Sequence, residues 1–418
     1  MLKQPELLCP AGDIERLRFA VRYGADAVYV GGESFGMRTS PKNFTVEQLA
    51  EGASLAHKAG RRIYLTLNSV PTNEEIARLP DYIRRVRETG IDAFIVADLG
   101  VLAVVKRLAP EIEVHFSTQV GIANYMAACA AYDLGAKRVV LARELSLQDI
   151  AFIRDNTPPE LELEAFVHGA MCMSFSGRCL LSRYLTGRDA NRGACAQPCR
   201  WKWQLTEEHR PNQHFDIGED ADGSYILNAN DLCTAPFLDL LCKAGVDSLK
   251  IEGRAKTFYY VASTTAAYRG ALDAYLAAPD AFVCPERVLT ELTRTSHRHY
   301  STGFYFGPDG ATQDTKQGGY LRAWDVVGIV DDWNDGIASC TQRGKFFLGE
   351  TLEALLPSGE IVSFAPEYIW DADSELIEST PHAMMAFRVP CAIELPPDSI
   401  LRRKIPCADA DTDAGSCA

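Results

Sequence analysis

The sequence lacks the long apolar runs that membrane proteins need. No stretch of its 418 residues reaches the eighteen or so consecutive apolar residues of a transmembrane helix. The first segment, "MLKQPELLCPAGD", has no apolar signal core behind basic residues. We therefore expect a cytoplasmic protein with no membrane segment. With 47% hydrophobic residues, the chain can bury at least one large core.

Positive charge is also scarce. The formal net charge is −14, from 42 Lys and Arg against 56 Asp and Glu. Non-specific nucleic-acid binding depends on neutralising phosphates, so this balance argues against it. A local basic patch on an acidic body remains compatible with the count.

Two catalytic motifs are missing from the sequence. It contains no H-E-x-x-H, and "GGESFG" is not a G-x-G-x-x-G loop. These absences argue against a zinc metalloprotease and a dinucleotide-binding enzyme. A Cys–His pair can still be drawn from Cys172 and His168, so a cysteine peptidase remains an alternative.

Cysteine, by contrast, is plentiful. In the cytoplasm the thirteen cysteines are not expected to form disulfides, so a clustered subset indicates thiol–metal chemistry. Four of them lie between Val167 and Trp203 with the spacing C-x6-C-x15-C-x3-C. This spacing is wider than that of zinc knuckles and favours an iron–sulfur cluster, with zinc or unligated thiols as alternatives. The expected ligands are Cys172, Cys179, Cys195 and Cys199, with Cys233 as an alternative fourth ligand.

Short β-branched runs alternate with helical patterns over the first 255 residues. Four segments, "GADAVYV", "GIDAFIV", "GAKRVVL" and "GVDSLKI", repeat a helix-ending Gly followed by a strand. We count eight strands, which predict an α/β fold with a TIM-like (β/α)8 barrel. An open doubly wound sheet is the alternative. The predicted strands cover residues 6–9, 27–30, 62–67, 93–97, 113–117, 138–142, 163–168 and 248–253.

Polar side chains follow the predicted strands, and active sites of such barrels lie where the strands end. Arginines at this mouth would suit an anionic ligand; the alternative is that Arg143–Glu144 and Glu252–Arg254 are structural ion pairs. The expected substrate-binding residues at the strand ends are Arg38, Asn68, Gln119, Arg143 and Arg254. No general acid or base stands out among Asp98, Glu144, His168 and Glu252.

The seventh connection is unusually long and carries the four spaced cysteines. We predict a barrel domain over residues 1–320 with a cysteine insertion at 169–247, in which a helix beginning at Asn230 or Asp231 carries Cys233 and Cys242. Hairpin signals such as "NDG" and "PSG" predict a small C-terminal β-barrel over 321–405. The acidic tail, 406–418, is expected to be disordered.

Three segments resemble the collagenase-like peptidases, the unknown-mechanism peptidase family 32. They are "ELLCPAGDIERLRFAVRYGADAVYVGG", "HFSTQVGIANYMAACAAYDLGAKRVVLARELS" and "EAFVHGAMCMSFSGRCLLSRYLTGRDANRGACAQPCRWKW". The resemblance extends over essentially the whole chain, including the C-terminal "QRGKF" and "LGETLEALLP". It is greatest to the tRNA-hydroxylating members; others hydroxylate a ribosomal RNA cytidine or take part, as paired proteins, in ubiquinone hydroxylation.

The resemblance implies a prephenate-dependent conversion of the tRNA wobble uridine to 5-hydroxyuridine. It also implies a [4Fe–4S] cluster on the four spaced cysteines, and some relatives take the last ligand from a position resembling Cys233. Prephenate is a dicarboxylate, which agrees with the arginines at the mouth and with Arg178 between two of the ligands. Trp203 in "CRWKW" is a candidate for stacking on a base, with packing as the alternative. The "RGKFF" loop is a candidate for a second tRNA contact.

Overall fold

The structure is a computed structural model of the chain. It describes residues 4–36, 43–172, 179–190, 194–200, 204–206, 214–216, 219–220, 223–224, 228–314 and 320–405. The chain divides into two compact units, Met1–Leu321 and Arg322–Ala418. The predicted tail, 406–418, lies outside the described residues.

Helices occur only in the first unit of the described chain. In order they are α1 (Ile14–Arg22), α2 (Val46–Lys58), α3 (Asn73–Val86), α4 (Leu99–Leu108), α5 (Tyr125–Asp133), α6 (Leu147–Asp155), α7 (Leu181–Thr186), α8 (Leu238–Lys243), α9 (Phe258–Ala277) and α10 (Glu286–Leu292). None of these described helices combines the length and hydropathy of a membrane span.

Strands occur in both units. Those of the first unit are β1 (Glu6–Ala11), β2 (Ala27–Gly31), β3 (Arg62–Leu67), β4 (Ala93–Val96), β5 (Glu113–Phe116), β6 (Arg138–Val140), β7 (Glu162–Ala170), β8 (Gln204–Thr206), β9 (His214–Asp216), β10 (Glu219–Asp220), β11 (Gly223–Ser224), β12 (Asn228–Ala229), β13 (Asp231–Cys233), β14 (Ser248–Ile251), β15 (Tyr300–Ser301) and β16 (Gln313–Asp314). Those of the second are β17 (Trp324–Asn334), β18 (Ile337–Gln342), β19 (Leu352–Leu355), β20 (Ile361–Phe364), β21 (Trp370–Asp371), β22 (Ala386–Pro390) and β23 (Ile400–Lys404).

Eight parallel strands close into a barrel. Strands β1 to β7 pair in sequence order, and β14 pairs in parallel with both β7 and β1, which completes the ring. The prediction of a (β/α)8 barrel with eight strands at these positions is therefore confirmed, and the open doubly wound alternative is wrong.

Local sequence signals explain where the helices of the barrel begin and end. Helices α2 and α3 begin with capping boxes, in which Thr45 pairs with Gln48 and Thr72 with Glu75. The glycine before four of the strands adopts a left-handed φ of 86–106°, a conformation that side chains other than glycine rarely adopt. These four are Gly24, Gly90, Gly135 and Gly245.

The space inside the barrel is only partly apolar. At the end where the strands begin, the guanidinium of Arg138 lies inside the barrel. It contacts Glu6 at 2.6 Å, Glu162 at 2.7 Å and Glu164 at 3.0 Å. Glu164 in turn accepts a 2.7 Å hydrogen bond from Lys250. Burial raises the pKa of Glu164, but Lys250 and Arg138 lower it further, so the net pKa lies below the usual range. A small apolar layer lies inside the barrel and is formed by Leu8, Ala27, Tyr29, Tyr64, Ala93 and Ile95.

The segment after the cysteines differs from its prediction. Asp231–Cys233 forms β13, which runs antiparallel to the end of β7, and the following helix α8 begins only at Leu238. The predicted helix beginning at Asn230 or Asp231 and carrying Cys233 is therefore wrong. The physical reason is that β7 extends past His168 to Ala170 and offers a free edge, which β13 fills.

The second unit is an antiparallel sheet with the strand order β20-β19-β23-β17-β18-β22-β21. The predicted hairpin at "NDG" is present, since Asn334 pairs with Ile337 while Asp335 and Gly336 both have positive φ. The two outermost strands, β20 and β21, do not pair with each other in this fully described segment. The separate antiparallel domain is thus confirmed, whereas its expected closure into a barrel is not seen in the strand pairing.

We predict that Arg138→Met destabilises the protein by about 3–5 kcal/mol, because it leaves Glu6 and Glu164 without their shared cation inside the barrel. Denaturant unfolding followed by circular dichroism measures the change. Arg84→Met is the matched control: Arg84 contacts Asp81 on the exposed surface of α3, so we expect a loss of at most about 1 kcal/mol. Equal stabilities of the two variants would contradict a structural role for the buried network.

Candidate functional site

An open cavity of about 140 Å³ lies where the barrel strands end. Five of the residues predicted from strand ends line it: Asn68, Gln119, Arg143, Glu252 and Arg254. The structure therefore brings together side chains from four different strand ends, those of β3, β5, β6 and β14. The remaining lining residues are Tyr29, Thr66, Ile95, Ser117, Thr118, Val140, Phe166 and Lys250.

Arg254 is held across the mouth of the barrel. Only 8% of the residue is exposed, and its Nη1 donates a 2.9 Å hydrogen bond to Thr66 Oγ1. The guanidinium lies directly against Gly31, where a Cβ would collide with Nη1. The missing side chain at Gly31 thus makes the space that this guanidinium occupies.

Arg143 links the cavity to the start of the cysteine segment. Its guanidinium carbon lies 3.9 Å from the ring centroid of Phe166, in cation–π geometry, and its Nη1 donates a 2.9 Å hydrogen bond to the carbonyl of Ala170. Its Nε is buried and has no hydrogen-bond partner among the described residues. A buried N–H donor without a partner is unusual in a folded protein, which makes this nitrogen a candidate donor to a ligand oxygen.

The rest of the rim is polar but carries one acid. Tyr29 donates a 3.2 Å hydrogen bond to Glu252 Oε2, and Asn68 Nδ2 lies 3.4 Å from Ser117 Oγ. With Arg143, Arg254 and Lys250 against Glu252, the cavity has an excess of positive charge. This balance fits an anionic ligand. Among the bonds of these two residues, Arg254 donates to Thr66 and Glu252 accepts from Tyr29. The structural Glu252–Arg254 ion pair stays an alternative prediction.

Three of the four acid–base candidates do not line this cavity. Asp98 is the N-cap of α4, where its carboxylate accepts a 3.0 Å hydrogen bond from the backbone N–H of Val101. Glu144 lines a neighbouring groove of about 820 Å³ together with Phe306. Only Glu252 contributes to the cavity.

His168 is directed away from the cavity by a β-bulge. Phe166 pairs with Lys250 but His168 pairs with Ile251, so one extra residue of β7 reverses the alternation. The imidazole packs instead against the tyrosines of α9, with its Nδ1 3.3 Å from Tyr268 Oη. Burial, followed by the influence of His297, lowers the pKa of His168 to about 3, so the ring is neutral at physiological pH. A Cys172–His168 catalytic pair has no support in this arrangement.

Three predicted substrate-binding residues, Arg38, Arg178 and Trp203, lie outside the described residues. Their contribution to the site stays a prediction. The four cysteines of the spaced set are described. All are free thiols, with Cys172 and Cys195 exposed and Cys179 and Cys199 half-buried.

The cysteine segment begins at the rim and is partly folded. Cys172 follows the last residue of β7, Ala170, by two positions. The buried Ser182, in the first turn of α7, accepts a 2.9 Å hydrogen bond through Oγ from the backbone N–H of Ala196. This bond connects the turn that carries Cys195 to the helix that follows Cys179.

Thiolates are the usual ligands of iron–sulfur clusters, so the residue type of the set matches that predicted cofactor. Cys195 Sγ already accepts a 3.3 Å hydrogen bond from the backbone N–H of Gln197, and bonds of this kind to cluster sulfurs tune their charge. In the described part of the chain, the positions of the thiols do not bring three metal-ligating groups together. Cys233 differs from the set: it is buried beside Tyr268, and burial raises the pKa of its thiol.

The sequence interpretation missed Lys250, Tyr29 and Thr66. Each occupies an inward position of its strand, two residues before a strand-end residue: Glu252, Gly31 and Asn68, respectively. The available signal was period-2 alternation: Lys250 stands two residues before Glu252 and four before Arg254 in "SLKIEGR". Counting back from Glu252 in steps of two residues along the strand would have identified Lys250 as an inward-facing side chain.

Two family models match the chain. The model of peptidase family U32 matches residues 12–315, and that of the peptidase family U32 C-terminal domain matches residues 322–402. The chain belongs to peptidase family U32. The U32 barrel model ends before the second unit begins at Arg322, so the family's division of the chain agrees with the two compact units.

Several relatives, among them the following three, carry names that state a reaction. "tRNA hydroxylation protein P1" of Bacillus subtilis (strain 168) is 37% identical over 405 residues, 96% of this chain and 95% of its own. "tRNA hydroxylation protein P" of Escherichia coli (strain K12) is 34% identical over 420 residues, 90% of this chain and 92% of its own. "23S rRNA 5-hydroxycytidine C2501 synthase" of the same organism is 39% identical over 271 residues, 65% of this chain and 40% of its own.

We predict that Gly31→Ala weakens binding of small dicarboxylates, such as prephenate, by about tenfold without unfolding the protein. The added methyl collides with the end of the Arg254 side chain and displaces its guanidinium, which then no longer reaches the ligand with its charge-assisted hydrogen bonds. Isothermal titration calorimetry measures the dissociation constant.

Gly270→Ala serves as the matched control for this glycine substitution. A Cβ at Gly270 meets its nearest neighbour, Val288 Cγ2, at an ordinary 3.5 Å, so neither folding nor binding should suffer. An unchanged dissociation constant for Gly31→Ala would argue against Arg254 as a ligand-binding residue.

Proposed function

We propose that this U32 protein is a tRNA hydroxylase that converts the wobble uridine to 5-hydroxyuridine in a prephenate-dependent reaction in the cytoplasm. The observation that carries the proposal is a basic cavity at the mouth of the barrel, in a chain that aligns over nine-tenths of its length with proteins named for tRNA hydroxylation. The relative named for 5-hydroxycytidine in rRNA supports RNA hydroxylation more generally.

The cavity is the proposed site of the small anionic cosubstrate. Arg254 follows β14 and Arg143 follows β6, the two strands that flank β7 in the ring, and each donates a hydrogen bond that helps to fix its orientation. Guanidinium groups fixed in this way bind carboxylates with little loss of side-chain entropy. Glu252, held by Tyr29, is the acid–base group nearest to a ligand bound there.

The spaced cysteines are the proposed ligands of a [4Fe–4S] cluster. Cys172, Cys179 and Cys195 would supply three thiolates, and Cys199 or Cys233 the fourth. When bound, such a cluster supplies electron transfer that protein side chains cannot perform. The hydrogen bond between Arg143 and Ala170 places the rim of the cavity beside the strand that leads into the cysteine segment.

A peptidase function is the second candidate because the family carries that name. The geometry gives it little support. Among the described residues, the imidazole nearest in sequence to the exposed Cys172 is His168, which faces the tyrosines of α9 and is uncharged. We therefore expect no cleavage of denatured collagen by the purified protein.

The function is tested with protein purified anaerobically, tRNA and prephenate, by mass spectrometry of the digested nucleosides. We expect 5-hydroxyuridine from the native protein, and loss of both iron and product in Cys172→Ala and Cys179→Ala. Cys129→Ala is the matched control, since Cys129 lies on α5 and donates to the carbonyl of Asn156. If the Cys172→Ala variant retains its iron and still modifies tRNA fully, Cys172 is not a ligand of the cluster.

The same assay separates the remaining alternatives when other substrates are added. If ribosomal RNA or a ubiquinone precursor is hydroxylated and tRNA is not, that molecule is the substrate and tRNA is not. An iron-containing protein inactive on all three would indicate an iron–sulfur partner subunit. A colourless protein that contains zinc would contradict the redox proposal.

The second unit offers a candidate tRNA contact in the "RGKFF" loop. Lys345 Nζ lies 4.6 Å from the ring centroid of Phe347, and 47% of Phe347 is exposed. We predict that the double variant Lys345→Gln/Phe347→Ala raises the KM for tRNA at least about fivefold, because one stacked base and one phosphate contact are lost. The KM for prephenate should not change. Ile393→Ala, at a similarly exposed apolar residue of this unit, is the control; equal effects of both variants would contradict the contact.

A further inference from the structure

We propose that the cavity has a deep anion subsite, formed by Lys250 with Arg143, that receives one carboxylate of a dicarboxylate ligand while Arg254 binds the other. This inference rests on the proposed function for the identity of the cosubstrate. It adds the residue that would select dicarboxylates over monocarboxylates.

Lys250 lies at the floor of the cavity. It precedes Glu252 by two residues on the inward face at the end of β14, about 6.6 Å along the strand direction. Only 5% of the residue is exposed. A group that reaches its ammonium therefore has to enter the barrel below the level of Arg254.

The ammonium of Lys250 has hydrogen-bonding capacity left over. Its Nζ donates to Glu164 Oε1 at 2.7 Å, and Glu164 is the one acceptor within reach in the described part of the chain. An ammonium carries three N–H donors. The other close groups are aromatic faces, with the ring centroid of Tyr29 at 4.6 Å and that of Phe166 at 5.6 Å.

The ring of Phe166 is contacted by a second cation as well. The guanidinium of Arg143 lies 3.9 Å from the centroid of this ring, and its buried Nε has no partner among the described residues. Both cations line the cavity, and each has an N–H donor without an acceptor among the described residues, so together they favour a negatively charged oxygen there. A carboxylate offers two such oxygens.

Glu164 fixes the position of the Lys250 ammonium, and the distance between this floor site and Arg254 makes the cavity selective. Because its carboxylate is shared by Lys250 and Arg138, the ammonium is fixed at the floor. A monocarboxylate can satisfy either Arg254 or the floor, but not both. A dicarboxylate satisfies both, and the difference appears as a preference for the doubly charged ligand.

The subsite is tested with the double variant Lys250→Met/Glu164→Gln, which removes the ammonium together with the buried charge that it neutralises. The Kd values of prephenate, other small dicarboxylates and the monocarboxylate phenylpyruvate are measured by calorimetry, after circular dichroism has shown that the variant is folded. We expect the Kd of the dicarboxylate to rise about 10- to 100-fold and that of phenylpyruvate to change less than about threefold. Lys250→Arg, which keeps the charge, should retain most of the preference if the double variant is unstable.

Lys106→Met, at an exposed position of α4, is the control and should leave all dissociation constants unchanged. A folded Lys250→Met/Glu164→Gln variant that binds dicarboxylates as tightly as the native protein would overturn the subsite while leaving tRNA hydroxylation standing. Native protein that binds other dicarboxylates but not prephenate would keep the subsite and overturn the cosubstrate. Native protein that binds no dicarboxylate would overturn the subsite itself.

Discussion

A line of buried charges through the barrel is the constraint on which the rest of the structure depends. Arg138 on β6 pairs with Glu164 on β7, and Glu164 pairs with Lys250 on β14. Charges taken out of water have to be paired, so these three strands are held in one register where the ring closes. The last charge of the line lies at the floor of the ligand cavity, which connects the stability of the barrel to the electrostatics of its site.

Strand β7 is where the barrel departs from a regular repeat. It is nine residues long, carries a bulge and offers an edge to β13. The bulge turns His168 towards α9, and the extension brings Ala170 to the guanidinium of Arg143. One irregular strand thus removes a histidine from the cavity and attaches the cysteine segment to its rim.

Much of the fold could be predicted because its signals are local. Gly135 before β6 and Gly245 before β14 mark helix ends, and alternation marks the strands between them. The mouth residues Asn68, Gln119, Arg143, Glu252 and Arg254 could be predicted from the same boundaries, since strand ends of a parallel barrel meet on one face. The misplaced helix at Cys233 shows the limit: three residues adopt β structure because a neighbouring edge is free, which no local pattern records.

The sequence by itself determined the eight strands, the face on which the site lies, the spaced cysteines and the separate antiparallel unit, because each of these is written in periodicity or spacing. Only the tertiary structure decided which polar side chains share a cavity. The extra residue in the β7 bulge turns His168 away from the cavity, which Phe166 lines. The carboxylate of Glu164 holds the Lys250 ammonium at the cavity floor. Such outcomes depend on contacts between residues far apart in the chain, where the requirement to pair buried charge overrides local preference.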